Sequence, residues 1–187
     1  RISYFEKTPF DFRWASLMTI GHPPATDILL AGWNQLLYKR FGLVGDIASY
    51  QLHGVVVTLL AALCILIWSY KLGGWVGASV SVVAYMGFPL LFAEQHFNFK
   101  DPAITGYNII FLYMFWLGIT RKNFLYLFVA SVIAGISMGT KFNIVFLAPL
   151  IPVWMMWYTK GRPVRWWRTT RQAYKCMVLS IPIIMVA

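Results

Sequence analysis

Residues 47–70, IASYQLHGVVVTLLAALCILIWSY, are followed by Lys71-Leu72-Gly73-Gly74 and then by residues 75–92, WVGASVSVVAYMGFPLLF. Neither apolar run holds an Asp, Glu, Lys or Arg. As a helix the first is about 36 Å long, enough to cross a hydrocarbon layer of about 30 Å. The lysine and glycine pair between them predicts a tight turn, so the two runs read as spans of opposite direction.

The rest of the composition agrees. Of 187 residues, 59% are hydrophobic and 12% charged, about half the charged share of a soluble domain. Mean hydropathy is +0.65. A soluble domain of this size has no interior large enough for that apolar surface, so the expected fold is an all-α polytopic membrane protein. The chain opens on Arg1 without a signal-peptide pattern and closes inside the apolar run 176–187. The expectation is therefore one transmembrane domain over 1–187, truncated at both ends. Cys64 and Cys176 lie in or beside apolar runs and have neither metal spacing nor a disulfide framework.

Outward from the first run toward the N-terminus, 1–21 mixes aromatic and charged residues and is too polar to span. His22-Pro23-Pro24 follows, and the prolines can open a helix but not continue one. Residues 25–41 then show apolar positions Ile28, Leu29, Trp33, Leu36 and Leu37, with Asp27 in the first turn and Lys39-Arg40 in the last. That pattern predicts an amphipathic helix on the membrane surface. Residues 1–46 thus form an extracytoplasmic loop carrying a surface helix.

Toward the C-terminus the polar stretch Glu94 to Asp101 interrupts the apolar sequence. A third span is expected over 104–119, closed by Thr120-Arg121-Lys122-Asn123. Residues 124–158 would make a helix of about 52 Å, too long for one crossing. Gly139-Thr140-Lys141 divides them into spans 124–138 and 142–158. A basic, tryptophan-containing loop runs over 160–175, and 176–187 begins an incomplete sixth span.

Alternating these spans places Lys71, Arg121, Lys122, Lys160, Arg162, Arg165, Arg168, Arg171 and Lys175 on one side with no acid. All six acids, Glu6, Asp11, Asp27, Asp46, Glu94 and Asp101, fall on the other. Basic loops favour the cytoplasm, so the net charge of +10 reads as orientation and as affinity for anionic lipid. Nucleic acid is not among the expected partners. His22, His53 and His96 lie on or at the edge of the extracytoplasmic side, so the candidate chemical groups gather there.

Each candidate has a plain structural alternative. Asp101 before Pro102 is a helix cap or a functional acid. Lys141 is a snorkelling lysine or a point charge for a phosphate group. His22 is an interfacial residue or a cavity-lining one. His96 and Asp101 lie five apart, but two ligands do not make a metal site. The sequence has no glycine-rich phosphate loop, HExxH or GxSxG.

In order, His22-Pro23-Pro24, His96 to Pro102, Gly135 to Asn143 and Pro149 resemble the lipid-linked-sugar glycosyltransferases of the GT-C fold. The resemblance is to the dolichyl-phosphate-mannose–protein mannosyltransferase superfamily and its bacterial relatives, including the aminoarabinose transferases of lipid A. It implies a donor of polyprenyl-phosphate-linked sugar, a protein, lipid or glycan acceptor, and an active site on the extracytoplasmic face of a bacterial or archaeal cell membrane. Asp101 would be the second acid of the catalytic site, holding a divalent metal ion or orienting the site. His22, His96, Lys100 and Lys141 would bind substrate, with Lys141 stabilising the departing lipid phosphate. The resemblance also implies a catalytic base on the first outer loop. Glu6 and Asp11 stand too close to His22 for that role, so the base is expected upstream of Arg1. Two other classes compete: a secondary transporter or channel fragment, whose charges would lie near the bilayer midplane, and a non-catalytic scaffold subunit.

Overall fold

The computed structural model describes residues 25–98, 100–147 and 149–158, together with Arg171 and Val178. Most of those residues are helical, with no strand among them. Helices α1 (Ala25–Asn34), α2 (Asp46–Met86), α3 (Pro89–Phe97), α4 (Asp101–Arg121), α5 (Phe124–Met138) and α6 (Leu150–Tyr158) follow in order. A π-helical turn, Gln35–Arg40, extends α1, and a 3-10 segment, Phe142–Leu147, precedes α6. Two helices, α2 and α4, are long and apolar enough to cross a membrane. The chain divides into two compact units, Arg1–Gly106 and Tyr107–Ala187.

In the first unit, α2 is two helices joined at a kink. Gly73 (φ −135°, ψ 17°) and Gly74 (φ 60°, ψ −156°) leave helical geometry inside it. The chain then folds back, because a Cβ on Gly77 would lie 3.2 Å from the Ser69 carbonyl oxygen. The Tyr70 and Trp75 rings meet edge to face with centroids 4.9 Å apart. The turn anticipated at Lys71-Leu72-Gly73-Gly74 is therefore present, and 46–72 and 75–86 are its two limbs. Gly74 occupies backbone space that other residues enter at a cost of about 1–3 kcal/mol. Nothing lies within 4 Å of its missing Cβ, so the cost of Gly74→Ala is conformational rather than steric. That substitution is expected to lower stability in detergent by about 1–3 kcal/mol, measured by thermal unfolding, and Gly73→Ala by clearly less.

The side chains along α2 are sorted by size. Ala61, Ala62 and Ala78 are buried, whereas Leu59, Leu60, Leu63, Val76, Val80 and Val83 face outward. Small residues inside allow backbones to approach closely, the pattern of helix packing in lipid. Helix α4 reaches the first limb in this way: a Cβ on Gly106 would stand 2.6 Å from Val57 Cγ1 and 3.2 Å from the Val57 carbonyl oxygen.

The second limb ends earlier than the apolar run 75–92 implies. Gly87 and Phe88 break it, and Pro89 opens α3 at its first turn, where a missing N–H costs nothing. Glu94 and His96, expected in a loop, are consequently helical. Helix α4 starts at Asp101 rather than near 104.

In the second unit, Asn123 caps α5 by accepting from the Leu125 N–H at 2.9 Å. Phe111, Phe115, Ile119, Leu127, Ala130, Ile144, Ile151 and Met155 form one core. Gly118 lets α5 approach, since a Cβ there would meet Leu127 Cδ2 at 2.6 Å. Ser137 Oγ donates to Asn108 Oδ1 at 2.7 Å. Helix α5 has the anticipated limits 124–138. The run 142–158 is not one helix: Phe142–Leu147 is a 3-10 segment, and α6 begins only at Leu150, just after Pro149.

Candidate functional site

A polar arrangement in the first unit lies where α3 gives way to α4, and Asn98 organises it. The Asn98 N–H donates to the Glu94 carbonyl at 2.8 Å and closes α3. Its Oδ1 accepts from the N–H groups of Lys100 (3.0 Å) and Asp101 (3.4 Å), supplying acceptors that the start of α4 needs. Its Nδ2 donates to Asp101 Oδ2 at 2.6 Å. Asn98 thus forms an Asx turn into the start of α4, with its amide bonded to the Asp101 carboxylate.

The capping side chain is Asn98, and the first intrahelical bond runs from the Ile104 N–H to the Lys100 carbonyl at 2.9 Å. Asp101 is the first helical residue, with its carboxylate held by Asn98 at the positive end of the α4 dipole.

Lys100 reaches 73 positions back along the chain. Its Nζ donates to Asp27 Oδ2 at 3.0 Å, with the two side chains 15% and 22% exposed. Asp27 sits in the first turn of α1, so the ion pair ties the starts of α1 and α4 together. The far end of α1 is fastened as well. Asn34, buried, donates from Nδ2 to Asp46 Oδ1 (2.6 Å) and Ser49 Oγ (2.8 Å), while Ser49 Oγ donates to the Asp46 carbonyl at 2.6 Å. The Trp33 ring meets that of His53 edge to face, with centroids 6.1 Å apart. Both ends of α1 are thereby fixed, and Asp27 with them.

The arrangement offers two carboxylates and one ammonium, each set at the start of a helix. A carboxylate in this setting can accept hydrogen bonds from hydroxyl groups, and an ammonium can act as a point charge toward phosphate. Among the described residues no three His, Cys, Asp or Glu side chains gather as a metal would require. Asp101 Oδ2 already accepts from Asn98.

Lys141 belongs to the second unit, just past the end of α5. There the N–H groups of Gly139, Thr140 and Lys141 donate back to the carbonyls of Gly135 and Ser137, and a cation at that place complements the helix C-terminus. The His96 backbone lies in the last turn of α3, and His22 lies outside the described residues. Sequence reading did not single out Asn98 or Asp27 for this site. The Asn-x-x-Asp spacing before Pro102 was a usable signal for Asn98. Nothing local marks Asp27 as the partner of Lys100. In comparisons with known proteins, no family model, curated protein or solved structure matches this chain.

Proposed function

We propose that this chain forms part of a multi-pass membrane glycosyltransferase that moves a sugar from a polyprenyl-phosphate carrier to an acceptor on the extracytoplasmic face. The observation that carries the reading is the Asp27–Lys100 ion pair beside the Asn98–Asp101 bond, both at helix starts that adjoin long apolar helices. The outward-facing leucines and valines of α2 support a lipid surround, because such a patch is costly against water and neutral against hydrocarbon. Basic loops at Lys71 and at Arg121-Lys122 support their side as the cytoplasmic one, and in this reading Asp27, Lys100 and Asp101 belong to the opposite face.

In this reading an acceptor hydroxyl oxygen bonds to the anomeric carbon as the bond from that carbon to the phosphate oxygen breaks. The electron pair leaves with polyprenyl phosphate, and the hydroxyl proton passes to a carboxylate base expected on the first outer loop. Asp101 orients the sugar or acceptor hydroxyls. Lys100 supplies positive charge toward the phosphate, whose charge grows as it departs.

The test is sugar transfer from a labelled polyprenyl-phosphate donor by the full-length protein in proteoliposomes. Lys100→Met is expected to lower transfer by about tenfold, equivalent to ~1.4 kcal/mol of lost transition-state stabilisation. Unchanged transfer in this variant would refute the assignment.

A further inference from the structure

We infer that the turn between α4 and α5, Arg121 to Leu125, is a binding site for the headgroup of an anionic phospholipid. This rests on the membrane placement proposed above and not on the transfer chemistry. The turn consists of Lys122 and Asn123. Lys122 has φ 54°, in the left-handed region where a helix end ordinarily places glycine. A lysine there carries a conformational cost that glycine would avoid. The turn itself is closed by Asn123, whose Oδ1 accepts from the Leu125 N–H at 2.9 Å, and Lys122 is exposed. Its neighbour Arg121, also exposed, is held by Tyr126. Nη1 donates to the Tyr126 hydroxyl at 3.1 Å, and the guanidinium stands 5.6 Å from the ring centroid. A phenol takes a guanidinium N–H and neutralises no charge.

The surroundings lack acid. Residues 107–187 contain no Asp or Glu. Asp101, at the opposite end of the same helix, is about 30 Å away along its axis. Beside the two cations lies apolar surface instead: Phe124, Leu125 and Phe128 are 59%, 63% and 46% exposed. Helix α4, with 21 residues, is about 31 Å long. With its start at one boundary of the hydrocarbon layer, its end reaches the other. The turn then lies at headgroup depth, where cations meet phosphate and rings and leucine meet the acyl boundary. A free phosphate would satisfy the cations and leave the apolar side chains in water. A lipid carrying net negative charge satisfies both.

The experiment uses full-length protein in nanodiscs containing photoactivatable phosphatidylglycerol or phosphatidylcholine, with adducts mapped by peptide mass spectrometry. The expected result is about tenfold more adduct on 121–128 from phosphatidylglycerol than from phosphatidylcholine, within what two cations near a charged surface give. Lys122→Gly should lower that preference about threefold without lowering the unfolding temperature, because glycine suits the left-handed position. Arg121→Gln combined with Lys122→Gly should abolish the preference. In the unsubstituted protein, about 0.5 M salt should weaken it severalfold by screening. Equal labelling by the two lipids, a preference that survives in the double variant, or one that salt leaves unchanged would overturn the site. Absence of adducts from both lipids on α2 and α4 would instead sink the membrane placement.

Discussion

Asp101→Asn is expected to lower sugar transfer by about 10²–10³-fold while leaving the protein folded. The fold survives because the substitution keeps the shape of the side chain. An amide oxygen at position 101 can still accept from Asn98 Nδ2, now 2.6 Å from Oδ2. The backbone bonds that start α4, from the N–H groups of Lys100 and Asp101 to Asn98 Oδ1, do not involve the replaced atoms. What is lost is one full negative charge at the positive end of α4. If that charge orients substrate hydroxyls, the loss appears in kcat, with thermal unfolding nearly unchanged. If Asp101 only stabilises the start of α4, unfolding shifts by about 0.3–1 kcal/mol and transfer does not change.

The second large effect concerns packing. Gly106→Ala is expected to destabilise the protein by about 2–3 kcal/mol. In an exposed helix the same change stabilises by up to about 1 kcal/mol, because alanine is the better helix former. The sign of the result therefore tests the close approach of α4 to α2. The added Cβ would stand 2.6 Å from Val57 Cγ1. Val57 is buried, and a β-branched side chain in a helix has essentially one rotamer, so it cannot turn aside. Val57→Ala combined with Gly106→Ala should recover part of the loss. The remaining approach to the Val57 carbonyl oxygen, 3.2 Å, belongs to the backbone and keeps the recovery incomplete. Thermal unfolding in detergent of the two single variants and the double variant would measure this directly.

These two residues also show where sequence is legible and where it is not. The turn at Gly73-Gly74 and the limits of α5 are local: charge, glycine and apolar length mark them without reference to the rest of the chain. The break at Pro89 was equally local, but hydropathy runs through it because proline, phenylalanine and leucine make one apolar string. The 3-10 segment before α6 is hidden for the same reason. Composition reports what a segment dissolves in, and hydrogen-bond geometry decides where its helix stops. Gly106 in an apolar run looks like any small residue of a membrane helix until Val57 is placed opposite it.

The site divides in the same way. Asp101 and Lys100 stood out as charges at the edge of apolar sequence. Asp27 looked complete as the acid in the first turn of α1, and its bond to Lys100 comes from tertiary packing across 73 positions. Asn98 carries no charge, so attention to ionisable groups passes over it, although its side chain makes three of the bonds that hold the junction. Lys141, expected at the tip of a hairpin, is placed by the end of α5, where the helix dipole alone justifies a cation.

The central claim is that the chain belongs to an enzyme that breaks a sugar–phosphate bond on a lipid carrier. Its most direct test reconstitutes the full-length protein in proteoliposomes with an acceptor extract and a polyprenyl-phosphate sugar labelled in both the sugar and the lipid. The account predicts labelled sugar in acceptor, an equal yield of free polyprenyl phosphate, and loss of both in Asp101→Asn. Movement of the intact lipid-linked sugar across the bilayer without release of polyprenyl phosphate would contradict it and would favour a transporter.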